Sequence, residues 1–144
     1  ISQNGKNIHE KFADRYFHAI GIGIDFTARD LQQKAKEKGL PWDIAKGFNG
    51  SAPVSEKFIP VAEFKNLKDI NFSLSVNGGI RQQGNTSLMI FSFEYIISYL
   101  SRFFTLRTGD LIFTGTPKGV GPVQVGDTLS SFIENEKLLE FEVK

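Results

Sequence analysis

The chain has 144 residues, 40% of them apolar and 23% charged, with a net charge of +1 and no cysteine. That length and balance fit one soluble globular domain with a sizeable core. They exclude disulfides, thiolate chemistry and cysteine metal sites, and they leave no basic footprint for nucleic acid and no apolar run of membrane-spanning length.

The absence of cysteine fits a reducing compartment, and the expected location is cytoplasmic. The first residues, ISQNGKNIHEK, lack the apolar core of a signal peptide. Met89 is the only methionine, so Ile1 is expected to follow a missing N-terminal segment. Ile1–Gln3 reads as the tail of a strand ended by the turn dipeptide Asn4-Gly5. Asn7 with Glu10 three residues on forms a capping-box pattern. Ile8, Phe12, Tyr16 and Ala19 then recur at helical spacing and predict a buried helix face. Ile20–Phe26 is a glycine-punctuated apolar run that predicts a short buried strand.

Thr27 and Asp30 repeat the capping pattern and predict a helix to about Lys38, with Gly39 just past its end and Pro41 preventing continuation. Trp42–Ala62, bearing proline and serine, reads as ordered but irregular. Asn71–Val76 alternates apolar and polar residues as a half-buried strand does, and Asn77-Gly78-Gly79 turns it into a partner strand through Gln83. Ser92 caps a further helix with Phe93, Ile96, Ile97, Leu100 and Phe104 as its apolar stripe. Leu111–Thr114 reads as a strand, followed by a glycine-rich loop. Thr128–Ile133 and Leu138–Val143 read as strands joined by a hairpin near Asn135. The balance is mostly β with short helices, an α+β chain. Its hairpins suggest a mixed sheet folded on itself rather than a doubly wound one.

Three segments carry candidate chemistry. Asp25 lies at the end of an apolar strand just before a helix start, where a carboxylate is stabilised by free amides and the helix dipole. A hard oxygen ligand there suits Mg²⁺ or Mn²⁺, but one carboxylate makes no cage, and taken alone the residue reads as support for the turn. Arg29, on the first helical turn, either forks onto a substrate carboxylate or pairs with Asp30 or Asp25. Lys46 sits between Ile44-Ala45 and Gly47-Phe48. Desolvation in such a run favours the reactive neutral amine, while lysines more often snorkel to water.

The loop Gly115–Gly121 matches neither GxxxxGK[ST] nor GxGxxG, which disfavours nucleotide binding. Its amides and the Thr116 hydroxyl suit a small carboxylate, with an ordinary turn as the competing reading. Glu134/Glu136 and Glu140/Glu142 place acids two apart on one strand face but read as a hairpin tip and a solvated edge. His9 and His18, nine apart, do not share a helix face and receive no role.

Taken together, the segments Asp25–Gln32, Gly39–Trp42 with Ala45–Phe48, Val76–Gly78 with Gln83-Gly84, Met89–Phe91, Ile96–Ser101, Gly109-Asp110, Thr114–Pro117 and Gly119–Gly121 resemble the fumarylacetoacetate hydrolase family over nearly the whole chain. The nearest branch is the acylpyruvate hydrolase and hydroxymuconate isomerase type. The resemblance implies that family's mixed β-sandwich roll, usually dimeric, and a divalent metal, Mg²⁺ or Mn²⁺, bound through three carboxylates. It implies small β-diketo or 2-oxo acid substrates and a metal-stabilised enolate. Asp25 would be the third metal ligand, Lys46 would lie beside the metal, and Arg29, Gln32 and Thr116 would line the substrate pocket. The family's Glu-x-Glu pair, and the His/Glu pair some members carry on a lid, would lie upstream of Ile1. The expectation is therefore the C-terminal portion of one catalytic domain, occupying residues 1–144 of the present chain. The parent is read as a metal-dependent C–C hydrolase. The rivals are an isomerase or decarboxylase using the same enolate, and a non-catalytic scaffold.

Overall fold

A computed structural model describes residues 1–144. Its centre is a four-stranded antiparallel sheet in the order β4-β3-β5-β6. The strands are β3 (Asn71–Val76), β4 (Gly79–Asn85), β5 (Thr128–Ile133) and β6 (Glu136–Glu142). The alternation in β3 and the Asn77-Gly78 turn produce the β3–β4 hairpin at the expected place. Asn77 and Gly78 both adopt positive φ there, the conformation such a tight turn needs. A second, two-residue pairing joins β1 (Ala19–Ile20) to β2 (Ile59–Pro60).

The predicted strand over 20–26 is thus realised mostly as isolated contacts. Ser55 N donates to Ile22 O, Ile24 N to Pro53 O and Phe26 N to Ser51 O, with one antiparallel bridge at Gly23 and Val54. Prolines at 53 and 60 supply no N–H, so a continuous ladder along this edge is broken. Leu111–Thr114, expected as a strand, has no pairing partner within the chain and remains extended coil. Ile1–Gln3 forms no strand either.

The helices sit where their caps put them, with shifts. The first is a three-ten helix, Glu10–Tyr16, capped by His9 rather than Asn7, because Asn7 takes a positive φ. Phe12 is correspondingly exposed, and Ile8 and Ala13 supply the buried face. Helix α1 (Arg29–Glu37) ends at Lys38 with Gly39 at φ +63°, as the C-terminal glycine predicts. A short helix α2 (Asp43–Lys46) lies inside the segment expected to be irregular. Helix α3 (Phe93–Phe103) is capped by the Ser92 hydroxyl, which accepts from Tyr95 N. Its buried face carries Ile97, Ser98 and Ser101; Phe104 falls past the helix end and is exposed. Ser101 belongs inside because its hydroxyl accepts Ile8 N and donates to Ser98 O.

Two small apolar cores result. One packs Ile8, Ala13, Ile97 and Leu106 between α3 and the first helix; the other packs Ile59, Ile70 and Ile133 under the sheet. The chain exposes 9818 Å². A compact protein of this mass exposes about 7,400 Å². The surface is also indented by an open cleft of about 930 Å³ lined by both the 17–29 segment and the 109–123 segment.

Candidate functional site

One wall of the cleft carries Asp25. The residue lies on the extended segment whose alternate amides bond to Pro53 O and Ser51 O, which fixes its backbone. Ala28 N then donates to Ala45 O at 3.0 Å, tying the start of α1 to α2. That single tie brings the last residue of α2 to the acid. Lys46 Nζ donates to Asp25 Oδ2 at 2.6 Å and to Thr27 Oγ1 at 2.8 Å. An ammonium has three N–H donors, so one remains without a partner in the chain. The Lys46 and Asp25 side chains keep 34% and 47% of their surface exposed. Ion pairs so wet contribute no more than about 1 kcal/mol to stability. The cluster is a poor investment as a structural brace and a well-placed one for chemistry at the cleft.

Arg29 opens α1, and its Nη1 donates to Gln32 Oε1 one turn on at 2.9 Å. Its partner is thus Gln32, not Asp30 or Asp25. Arg29 lines the cleft; Gln32 reaches it only through Arg29. On the opposite wall Thr116 also lines the cleft. Its hydroxyl accepts from Gln82 Nε2 of β4 at 2.9 Å, and the same Nε2 donates to Pro117 O at 2.9 Å. The fold therefore brings Asp25, Arg29, Lys46 and Thr116 around one cavity.

The other candidates fall elsewhere. Glu134 occupies a positive-φ turn position and accepts Asn71 N, and Glu136 pairs with Lys57, which raises the lysine's pKa. Glu140 accepts from Lys137 and Ser130, and those two donors hold its carboxyl below the usual range. These acids act as hairpin and edge residues. His9 serves as a cap, its Nδ1 accepting Lys11 N. His18 lines the cleft without a side-chain partner.

A hard divalent cation finds no complete donor set in the chain. No group of three His, Cys, Asp or Glu side chains converges anywhere in the chain. Asp25 offers one carboxylate, already sharing an oxygen with Lys46, whereas such cations take six or more oxygens. These 144 residues do not by themselves complete a metal site.

Sequence reasoning overlooked Thr27 and Gln82 as site residues. Thr27 matches a capping pattern, yet α1 begins after Ala28 with no side-chain cap, and the hydroxyl is spent on Lys46 instead. Gln82 stands one residue before the Gln83-Gly84 pair that carried the resemblance; only its position on β4 beside the loop gives it a partner.

Residues 1–144 match the family model described as the C-terminal region of fumarylacetoacetate (FAA) hydrolase. The chain is 45% identical over 144 residues to mouse mitochondrial oxaloacetate tautomerase FAHD1, covering 100% of the chain and 65% of the mouse protein. A crystal structure of a fumarylacetoacetate hydrolase family protein from Yersinia pestis CO92 superposes with TM-score 0.94 at 45% identity, covering 100% of this chain and 65% of that one. That of Pseudomonas aeruginosa fumarylpyruvate hydrolase in complex with Mn²⁺ and pyruvate superposes with TM-score 0.91 at 38% identity, covering 99% and 61%. The fold is thus one shared with the fumarylpyruvate hydrolase of Pseudomonas aeruginosa. The chain belongs to the fumarylacetoacetate hydrolase family. It spans about 65% of the length of the mouse relative. No helix is long and apolar enough to cross a membrane.

Proposed function

We propose that this chain is the larger part of a Mg²⁺- or Mn²⁺-dependent enzyme that acts on small 2-oxo or β-diketo acids, first of all as a hydrolase cleaving a C–C bond in an acylpyruvate. The observation that carries the reading is the meeting of Asp25, Thr27 and Lys46 in one cleft, with Arg29 and Thr116 on its walls. Arg29 and Thr116 hold the substrate carboxylate, the first by a charged fork and the second by one hydroxyl proton. The unpartnered N–H of Lys46 faces the negative charge that develops on the keto oxygen as the enolate forms. Asp25 supplies one metal ligand. The remaining ligands would have to come from outside these 144 residues; the chain spans 65% of the mouse relative. A divalent metal held in part by Asp25 would supply Lewis acidity at the keto oxygen.

A second reading, keto–enol interconversion or decarboxylation of oxaloacetate, uses the same residues. It is favoured by the higher identity to the mouse tautomerase than to the bacterial fumarylpyruvate hydrolase. We place the protein in a reducing compartment as a homodimer; the mouse relative is mitochondrial, and fractionation of the source cells separates matrix from cytoplasm.

The test is turnover by the whole protein with Mn²⁺. Release of pyruvate from an acylpyruvate is the expected result. Rapid loss of the oxaloacetate enol signal without any acylpyruvate cleavage would move the assignment to the second reading. Activity on neither substrate, with Mn²⁺ bound, would remove both.

A further inference from the structure

The segment Leu111–Val123 forms one wall of the cleft, yet none of its backbone groups bonds to another backbone group. Its tethers come from the side chains of two neighbouring β4 residues. Gln82 Nε2 donates to Thr116 Oγ1 and Pro117 O, both at 2.9 Å, and Arg81 Nη1 donates to Pro122 O at 3.2 Å. The close approach is built into the sequence. Gly119 takes φ +101°, and a Cβ there would lie 2.5 Å from Arg81 O; a Cβ at Gly121 would lie 2.7 Å from Arg81 Nη1. The loop lies on β4 with no room for a side chain between them.

The amide orientation of Gln82 follows from its partners. Pro117 O can only accept, so the NH₂ end of Gln82 must face it. That same NH₂ end faces Thr116 Oγ1, which therefore acts as an acceptor toward β4. A hydroxyl has one proton, and that of Thr116 donates to no group in the chain. Gln82 thus leaves Thr116 with a free donor directed by the remaining valence of its oxygen.

We propose that Gln82 is a positioning residue for substrate binding: by occupying the acceptor side of Thr116 and pinning Pro117, it commits the Thr116 hydroxyl to donate to a substrate carboxylate. The inference rests on the reading that Thr116 meets that carboxylate.

A double-mutant cycle on the whole Mn²⁺-loaded protein tests it, with whichever of an acylpyruvate and oxaloacetate it turns over as the probe for KM and kcat, and tryptic cleavage after the exposed Lys118 as a second readout. Thr116→Val should raise KM about 10- to 100-fold. Gln82→Ala should raise KM about tenfold with kcat little changed, and should speed cleavage after Lys118 without lowering Tm appreciably. In the Thr116→Val background, Gln82→Ala should add less than about twofold, because it acts through the hydroxyl already removed. Gln82→Glu should do at least as much harm as Thr116→Val, since a carboxylate accepts the Thr116 proton and repels Pro117 O. Wild-type KM in Thr116→Val would overturn the carboxylate reading and this proposal with it. A raised KM in Thr116→Val, combined with a Gln82→Ala effect that multiplies fully in the double variant or is absent from the single one, would overturn the role of Gln82 alone.

Discussion

The two walls of the cleft are held by different means. On the Asp25 wall the main chain does the holding: Ile24, Phe26 and Ala28 each donate a backbone N–H to the 45–53 stretch. On the Thr116 wall the main chain between Leu111 and Val123 makes no such bond, and side chains from β4 hold it. The difference has a consequence for substitutions. A change on the first wall removes a functional group from a frame that persists. A change behind the second wall moves the frame itself, so on the proposal above Gln82, which touches no substrate, controls Thr116, which does.

The largest effect belongs to the first wall. Lys46→Ala removes the N–H that, on the function proposed above, faces the developing enolate, and it leaves the backbone ties of α2 in place. The expected loss in kcat is about 10²–10³. Stability should change by no more than about 1 kcal/mol, since the Asp25 pair is so exposed. Steady-state kinetics beside a melting curve checks both. Unchanged turnover with a lowered Tm would make Lys46 a structural residue and leave the wall without a catalytic group. Asp25→Asn belongs with it: Mn²⁺ titration of the whole protein should show affinity reduced at least about tenfold, and the unsubstituted 144-residue chain should bind Mn²⁺ only weakly, as one carboxylate predicts.

The next effect belongs to the second wall. Thr116→Val keeps the shape of the side chain and deletes its proton. KM for a 2-oxo acid should rise by the equivalent of one charge-assisted hydrogen bond, about 1.5–3 kcal/mol. A nucleotide found in the loop, or an unaltered KM, would show the wall to be something other than a carboxylate site.

How far the sequence reveals this contrast depends on whether the signal is local. The β3–β4 hairpin is legible because alternation and Asn77-Gly78 sit side by side, and α3 because Ser92 caps its own helix. Asp25, Lys46 and Thr116 each stand in a recognisable short segment, and the fold gathers those segments at one cleft. What resists reading is the identity of partners far along the chain. The Thr27 hydroxyl is an acceptor in either account; nothing near it says that the donor is Lys46 and not a helix amide. Leu111–Thr114 has the composition of a strand, but a strand requires a neighbour, and these residues find none in the chain. Gln82 is one glutamine of two in a β4 strand, distinguished only by which loop lies beneath it.

A smaller effect sharpens the first wall. Thr27→Val removes one of the two acceptors that orient Lys46. With Asp25 still in place, the expected fall in kcat is roughly fivefold, the worth of about 1 kcal/mol. Thr27→Ser should restore it. Failure of serine to rescue would mean that the methyl group, and so packing, matters more than the hydroxyl.

The smallest effect concerns the exit of the side-chain-held wall, and it is read by acid. Asp127 accepts Gln124 N through one oxygen and Asn77 Nδ2 through the other, so it fastens the end of the loop to the β3–β4 turn. Thr128 N returns the bond to Asn77 Oδ1. The Gln124 amide first, then Asn77, holds the Asp127 carboxyl below its ordinary value. A depressed folded-state pKa contributes stability that is complete above the unfolded value, about 4 for aspartate, and is lost as pH falls through the lower folded value. Stability should therefore decline with acid below about pH 4, with protection of the Gln124 amide against exchange falling in the same window. Asp127→Asn, which cannot titrate, should make both quantities flatter there while lowering stability slightly at neutral pH. A parallel acid limb in Asp127→Asn would mean that other carboxylates carry it and that the loop exit is fastened some other way.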